Sequence, residues 1–240
     1  MRVHLIAALA VATAALAGCG AAEAGPAAVN GAVRQPAIEV SGDPAAISGA
    51  QESSANRASD IESVVMIGDS ITKGSMPFLG ERFDQLGLDH VISAENGKRM
   101  AVSMRDNPSG ADVAAFLAGS GDGDHSDEVW VVALGTNDIG QYSSPDQIAA
   151  AVNEVLDEVP DDAALVWVDT YIVGQPEKTD AVNSIIRQRV ERHGDSVIAP
   201  WTAFVEGDGV LSGDGVHPTT DGADVFAFVV TDTVRAFLDR

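Results

Sequence analysis

The sequence over 61–240 predicts a three-layer α/β/α domain with a parallel sheet. Five short apolar runs of strand length alternate with five segments that carry helix signals. The first run, 64–67, and the third, 129–134, contain no polar residue, as expected for strands that are covered on both faces. Strands and helices that alternate in this way form parallel sheets with helices on both sides.

The elements follow one another along the chain with recognisable boundaries. Ser144 and Gln147 form a capping-box pattern around Pro145, which opens a helix that runs to about residue 158. Gly194 is expected to end a helix over 180–193, and Thr219 or Thr220 begins the last helix, to about residue 238. Strands are predicted at 64–67, 90–94, 129–134, 164–168 and 197–199, with further helices over 75–86 and around 113–117.

The N-terminal residues predict a secretory signal. Arg2 precedes an uncharged run over 5–17, which is too short to span a bilayer comfortably. The run ends in LAGC, which resembles a bacterial lipobox. That resemblance implies a signal peptide over 1–18, a lipid anchor on Cys19, and a location at the extracytoplasmic face of the cell membrane. The alternative is an ordinary signal peptide in which Cys19 is incidental.

The segment over 19–60 has the composition of a tether. It contains three prolines and many Ala, Gly and Ser residues, and it has no aromatic residue. Such a segment buries too little apolar surface to offset the entropy that folding would remove. We therefore predict a disordered tether between the lipidated cysteine and the domain, with a short docked strand over 37–40 as a weaker possibility.

Charge and cysteine content exclude several classes of protein. The chain has 36 acidic and 14 basic residues, for a formal charge of -22. Such a field repels phosphate backbones, so we expect no nucleic-acid partner. Because Cys19 is the single cysteine, the chain can form neither an internal disulfide nor a thiolate zinc site.

The first candidate site residue is Ser70, which follows the first predicted strand in the segment GDS. In an open parallel sheet, ligands bind beyond the carboxyl ends of the strands. A serine there, just before a helix, lies near free backbone N–H groups and the positive end of the helix dipole. This setting suits a nucleophile whose reaction generates an oxyanion. An Asp/Ser turn or a helix cap would give the same pattern.

Two further motifs occupy comparable positions. Asn137 follows the third strand in GTND, where its amide can donate to a developing oxyanion, although an Asn/Asp turn is the simpler explanation. Asp214 and His217 share the segment DGVHP before the last helix. A serine nucleophile needs a base, and the base needs a carboxylate that fixes its tautomer, so this pair can supply both. A solvated loop pair is the alternative.

In this order, GDSITKG at 68–74, GTND at 135–138 and DGVHP at 214–218 resemble the blocks of the SGNH hydrolases, the GDSL esterase/lipase superfamily. The resemblance covers 61–240. It implies a flavodoxin-like fold with a five-stranded parallel sheet of order 2-1-3-4-5. It also implies that the reaction needs no metal and no organic cofactor.

The same resemblance implies a role for each site residue. Ser70 would be the nucleophile, His217 the general base and then the acid, and Asp214 the residue that orients His217. The oxyanion donors would be the backbone N–H of Ser70, the side chain of Asn137 and the backbone N–H of Gly97. Taken by itself, Gly97 is a turn residue after the second strand, and a further glycine found in many relatives is absent here.

Other residues near the predicted strand ends have two interpretations each. Tyr171 and Trp201 follow strands four and five and could line a substrate pocket, although packing is the favoured role. Lys98 and Arg99 could face an anionic substrate or pair with carboxylates. The acidic loop over 119–128 lacks the spacing of a calcium loop, so we expect it to be solvated, with His125 exposed.

The sequence as a whole predicts an extracytoplasmic serine esterase, anchored to the membrane at Cys19. Its substrates would be short-chain acyl esters, above all acetyl esters, of an envelope glycan or a small lipid. Two alternatives remain at this point: an O-acyltransferase that uses the same site, and a non-catalytic glycan-binding lipoprotein that keeps the fold.

Overall fold

The structure, a computed structural model, describes residues 61–120 and 123–239. The signal peptide, the anchor cysteine and the tether predicted over 1–60 lie outside the described residues. The strands are β1 (Ser63–Gly68), β2 (Asp89–Ala94), β3 (Glu128–Ala133), β4 (Ala164–Val168) and β5 (Ser196–Ala199). The helices are α1 (Ser70–Leu86), α2 (Gly110–Ala118), α3 (Pro145–Leu156), α4 (Pro176–Val190) and α5 (Thr220–Leu238).

The five strands form one parallel sheet of order β2-β1-β3-β4-β5. This is the predicted flavodoxin-like order, and the predicted fold class is confirmed. The winding direction reverses between β1 and β3, which are neighbours in the sheet. A crevice opens at such a reversal, beyond the carboxyl ends of the strands, and it is the usual ligand site in sheets of this kind.

Two apolar cores lie on opposite faces of the sheet. Alternate residues of β1 point to opposite sides, so Met66 contributes to the core under α1 and α5, and Ile67 to the core under the other three helices. Phe83 of α1 and Phe226 of α5 fill the first core. Each core covers one face of the sheet, so both faces of β1 are dry, as its uninterrupted apolar sequence predicts.

Helix α1 begins at Ser70, five residues earlier than predicted. Asp69 caps the helix, because its carboxylate accepts a hydrogen bond from the N–H of Ile71 at 2.9 Å. The cap starts the helix ahead of Gly74 and Pro77, two residues that disfavour a helix interior. As a result, Ser70 is the first residue of the helix.

The N-caps of the third and fifth helices are the predicted ones, whereas both ends of the fourth helix differ from the prediction: its C-cap is Glu191 and not Gly194. Ser144 and Thr219 are N-caps, as predicted. Helix α4 starts at Pro176 instead of 180, because proline is well suited to a first helical turn, and it ends at Val190 instead of 193. None of the described helices is both long and apolar enough to cross a bilayer.

Candidate active site

Ser70, His217 and Asp214 form a continuous hydrogen-bonded chain at the carboxyl end of the sheet. Ser70 Oγ lies 2.9 Å from Nε2 of His217, and Nδ1 of the same imidazole lies 2.8 Å from Oδ2 of Asp214. Ser70 and His217 are 147 positions apart in the sequence. The first turn of α1 and the loop before α5 therefore meet at this point, and the arrangement is the one that an activated serine requires.

Asp214 also organises the loop that carries His217. Its Oδ1 accepts hydrogen bonds from the backbone N–H groups of Val216 and His217 and from the hydroxyl of Ser212, each at 2.9 Å. The side-chain hydrogen bond to His217 and these further donors hold the pKa of Asp214 well below its usual range. Asp214 is therefore ionised at neutral pH, and it holds a proton on Nδ1 of His217.

Three candidate oxyanion donors surround Ser70. Its own N–H belongs to the first residue of α1, so it has no acceptor within the helix and lies at the positive end of the dipole. Gly97 and Asn137 line the same cleft as Ser70 and His217. Gly97 has a φ of 72°, which a residue with a side chain rarely adopts, so the turn after β2 requires glycine here.

Asp69 holds the side chain of Asn137. The amide Nδ2 donates to Oδ2 of Asp69 at 3.0 Å and to the carbonyl of Lys98 at 3.1 Å. Asp69 is only 1% exposed, and burial raises its pKa to about 7. Both amide hydrogens of Asn137 therefore have acceptors within the protein, and a substrate oxyanion would share one of them.

Asp138, the last residue of GTND, fixes the chain that follows Gly97. It is fully buried, and it accepts hydrogen bonds from Arg99 Nε at 3.0 Å, the Met100 N–H at 3.1 Å and the Tyr142 hydroxyl at 3.0 Å. Burial raises the pKa of Asp138, although these donors oppose the rise. The GTND segment thus provides Asn137 and anchors the second candidate oxyanion segment at the same time.

The basic side chains near the site have distinct partners. Arg99 pairs with Asp138, which is the carboxylate alternative raised by the sequence. Lys98 is buried, and its ammonium binds the side-chain oxygen of Asn107 at 3.1 Å and the carbonyl of Pro108 at 2.8 Å. Neither cation faces the cleft. Lys73, to which the sequence analysis had assigned no role, does face the cleft.

The cleft at this site has a volume of about 640 Å³. It is lined by Ser70, Lys73, Gly74, Asn96, Gly97, Asn137 and His217. Tyr171 and Trp201 do not line it. Trp201 is 1% exposed and packs edge-on against Phe226 at 5.2 Å, and Tyr171 packs against the same core. Packing is therefore the role of both aromatic residues in the described structure.

The expectation that His125 is exposed is wrong. The residue is 6% exposed, with its Nδ1 2.9 Å from Glu128 and its ring edge-on to Trp130. The N–H of His125 also donates to Asp162. A polar loop composition gave no sign of these contacts, because they form only when β3 brings Glu128 and Trp130 beside the loop. Among residues 61–120 and 123–239, no group of three or more His, Cys, Asp or Glu side chains is arranged to hold a metal ion.

A family comparison agrees with this geometry. The model of the GDSL-like lipase/acylhydrolase family matches residues 66–225. The chain belongs to this family. The matched span runs from β1 into α5 and contains every residue of the serine–histidine–aspartate chain. The resemblance predicted from GDSITKG, GTND and DGVHP is thereby confirmed, and the lipoprotein assignment stays a prediction.

Solved structures share the fold at low sequence identity. The C-terminal catalytic domain of peptidoglycan O-acetyltransferase A from Streptococcus pneumoniae matches with a TM-score of 0.56 and 15% identity, over 74% of this chain and 95% of that one. A lipolytic G-D-S-L family protein from Veillonella parvula matches with a TM-score of 0.57 and 16% identity, over 70% of this chain and 96% of that one. A carbohydrate acetylesterase family member from Sinorhizobium meliloti matches with a TM-score of 0.55 and 15% identity, over 74% of this chain and 100% of that one. No curated protein sequence matches the chain.

Proposed function

We propose that this chain is a serine esterase that removes short acyl groups, above all acetyl groups, from hydroxyls of an envelope glycan or a small lipid. The observation that carries the proposal is the chain of hydrogen bonds from Ser70 through His217 to Asp214, at 2.9 and 2.8 Å. It lies beside a helix N-terminus in a cleft that also contains Gly97 and Asn137.

The reaction follows from the positions of these groups. Ser70 Oγ attacks the ester carbonyl while Nε2 of His217 takes its proton, and the carbonyl oxygen becomes an oxyanion. The N–H groups of Ser70 and Gly97 and the amide of Asn137 stabilise that charge. The imidazolium then protonates the leaving alcohol, which departs and leaves an acyl-enzyme. Water, deprotonated by His217, hydrolyses the acyl-enzyme and regenerates Ser70.

The walls of the cleft favour a small acyl group. Its lining residues are polar, charged or glycine, and none of them carries an aliphatic or aromatic hydrocarbon side chain. A long acyl chain would find little apolar surface there to bury, whereas an acetyl group needs little. The side chains of Lys73, Asn96 and Asn137 can also form hydrogen bonds with an alcohol rich in hydroxyl groups. The structural likeness to a carbohydrate acetylesterase family member is consistent with this substrate class.

An acyltransferase is the second candidate. The acyl-enzyme can be attacked by a sugar hydroxyl in place of water, and the same residues would serve both reactions. The domain of Streptococcus pneumoniae that shares the fold carries the name of a peptidoglycan O-acetyltransferase. The two functions differ in the acceptor, so an acceptor experiment separates them.

The test measures hydrolysis of p-nitrophenyl acetate and of its longer-chain analogues by the full-length chain, with and without oligosaccharide acceptors. We expect Ser70→Ala to lose hydrolysis and labelling by a fluorophosphonate probe, because Ser70 supplies the nucleophile. Ser143→Ala, which changes an exposed serine that does not line the cleft, is the matched control and should keep both. Acylated acceptor in place of free acetate would favour the transferase. If the wild type hydrolyses none of the esters, whatever the length of the acyl chain, the result would favour a binding protein.

We further propose that the domain is held at the extracytoplasmic face of the cell membrane by a lipid on Cys19. The support is the lipobox-like LAGC at the end of the apolar run. Stable anchoring takes two or more acyl chains, which lipoproteins of this kind carry. Wild-type chain expressed in a bacterial host should incorporate labelled fatty acid and sediment with membranes, and Cys19→Ser should do neither. A wild-type chain that takes up no label would be a secreted protein without an anchor.

A further inference from the structure

Lys73 places a positive charge in the cleft, one helical turn after Ser70. It is the only Lys or Arg among the residues that line the cleft. The nearby basic side chains Lys98 and Arg99 are committed to Asn107 and Asp138 on the other side of the segment that follows β2. Residues three apart on a helix lie side by side, with Cβ atoms about 5–6 Å from each other. The ammonium of Lys73 is therefore within reach of a group attached near the reacting carbonyl.

The present partner of Lys73 is easily replaced. Its Nζ lies 2.7 Å from Oε2 of Glu95, and the two side chains are 42% and 55% exposed. An ion pair this exposed stabilises a protein by no more than about 1 kcal/mol, so a second carboxylate can take the place of Glu95 at little cost. The pKa of Glu95 is lowered by its hydrogen bond to Lys73, so the Glu95 carboxylate is charged at neutral pH.

The strongly negative charge of the chain limits the range over which Lys73 can attract an anion. With 36 acidic residues against 14 basic ones, the chain repels anions at long range. A lone ammonium beside the nucleophile cannot reverse that field, and it acts only on a group that has already docked. The positive end of α1 adds to the local potential at the same place. The cleft therefore favours a negative group at short range.

We propose that Lys73 is a specificity residue that binds a carboxylate on the alcohol portion of the substrate, so that the preferred substrate is an O-acetylated sugar acid. Because Lys73 lies one helical turn from Ser70, we expect the carboxylate and the ester to lie on the same sugar residue. Glu95 holds the ammonium in place until the substrate carboxylate displaces it. This proposal rests on the esterase function proposed above.

The test compares two matched substrates, an O-acetylated methyl glucoside and the methyl glucuronide acetylated at the same position. The quantity of interest is the ratio of kcat/KM for the acid to kcat/KM for the neutral sugar. We expect the full-length wild type to favour the acid by about fivefold at low ionic strength, the upper end for an exposed ion pair. Added salt should narrow the ratio, because it screens exposed charges.

Three variants make the test specific. Lys73→Gln should bring the ratio to one or below, because the ammonium is gone. Glu95→Gln should raise the ratio above that of wild type, because the competing carboxylate is gone. Lys178→Gln removes the same charge from the exposed face of α4, where Nζ contacts Gln175, and should leave the ratio at the wild-type value.

The outcomes separate this proposal from the esterase function. Hydrolysis of both sugars with the same ratio in wild type and Lys73→Gln would overturn the role of Lys73 and leave the esterase intact. A ratio that falls in Glu95→Gln would also overturn it, since it would mean that Glu95 itself contacts the sugar. Failure of the wild type to hydrolyse either sugar or p-nitrophenyl acetate would overturn both proposals together.

Discussion

The buried carboxylate of Asp69 accepts a hydrogen bond from the amide of Asn137 at 3.0 Å. Asp69 also caps α1, where it precedes Ser70, so one side chain fixes both the start of the helix that carries the proposed nucleophile and the direction of the Asn137 amide, a candidate oxyanion donor. The two functions use different oxygens, because Oδ1 accepts from Ile71 and Oδ2 from Asn137. This division makes them separable by mutation.

Asp69→Asn should lower kcat with little effect on folding. Asparagine keeps the cap, because its oxygen can still accept from Ile71, but it turns an NH₂ group toward the NH₂ of Asn137. The amide of Asn137 must then turn away, and the loss should approach that of a missing oxyanion donor, about 10²–10³-fold in kcat. Steady-state kinetics with p-nitrophenyl acetate, together with thermal unfolding, checks this expectation.

A double-mutant cycle tests whether Asp69 acts through Asn137. In an Asn137→Ala background the donor is already gone, so Asp69→Asn should cost less than about tenfold there. Losses that multiply in the double mutant would show that Asp69 affects catalysis by another route, for example through the charge that it places near His217.

Asp214→Asn should lower kcat/KM by about 10⁴-fold and leave a measurable remainder. The asparagine oxygen can still accept from the N–H groups of Val216 and His217, so the loop keeps its shape. Its NH₂, however, donates to Nδ1 of His217 and forces the proton onto Nε2, which then cannot accept the proton of Ser70. Imidazole ¹⁵N chemical shifts report the tautomer directly.

Comparing Asp214→Asn with Asp214→Ala separates the effect of the wrong histidine tautomer from the effect of losing the carboxylate. Alanine removes the NH₂ as well as the carboxylate, so the imidazole is free to adopt the reactive tautomer for part of the time. We expect Asp214→Ala to be the more active of the two variants per folded molecule. Wild-type activity in Asp214→Asn would leave Asp214 with a role in the loop alone.

The sequence predicted those parts of the molecule that depend on local pattern. Apolar runs located the five strands, and the family resemblance supplied their order. Asp214 and His217 are three residues apart, so their contact is visible in one line of sequence. The start of α1 was misplaced because the cap at Asp69 outweighs the unfavourable Gly74 and Pro77 that follow it.

Contacts between distant segments could not be predicted in the same way. Asp69 and Asn137 are 68 positions apart, and nothing in GDS or GTND says which of their polar side chains will be buried against each other. The side chain of Lys98 points away from the cleft because its ammonium donates to the carbonyl of Pro108. That carbonyl comes within reach only when the loop after Lys98 folds back. A pattern identifies such residues as candidates, and only packing decides between an exposed and a buried role.

The brace formed by Asp138 should contribute to stability and to activity. Asp138→Asn removes the charge that Arg99 faces and presents an NH₂ group to the same donors, so we expect a loss of about 2 kcal/mol in the free energy of unfolding. Tyr142→Phe removes one hydrogen bond to the same carboxylate and should cost about 1 kcal/mol. Chemical denaturation measures both values.

The activity of these two variants tests the link to Gly97. Asp138 holds Met100 and Arg99, which follow Gly97 closely, so Asp138→Asn should lower kcat at temperatures where the protein is still folded. Tyr142→Phe leaves the bond to the Met100 N–H in place and should keep most of kcat. Equal kcat in wild type and Asp138→Asn would confine the brace to a stabilising role.

The last prediction concerns the stability of the domain as a function of pH. His125 lies at the N-terminal end of β3, where its ring faces Glu128 and the carboxylate of Asp162 lies nearby. Burial opposes the charged imidazolium, but the hydrogen bond and charge of Glu128, with help from Asp162 and the Ala118 carbonyl, outweigh it and raise the pKa of His125. A raised pKa in the folded state means that the charged ring stabilises the fold.

This contribution is complete below about pH 6.5, the ordinary value for histidine in an unfolded chain, and is lost as the pH rises through the higher folded value. We therefore expect the free energy of unfolding to fall as the pH rises above about 6.5 in the wild type, and to fall less in His125→Gln. Glu128→Gln should flatten the same part of the curve, and the double variant should be no flatter than either single one, because the two side chains act as a pair.

His90→Gln, which changes a histidine on β2 and leaves this pair intact, is the matched control and should keep most of the wild-type slope. Denaturant titrations across this range decide the matter, since an identical slope in wild type and His125→Gln would assign the pH dependence to other groups.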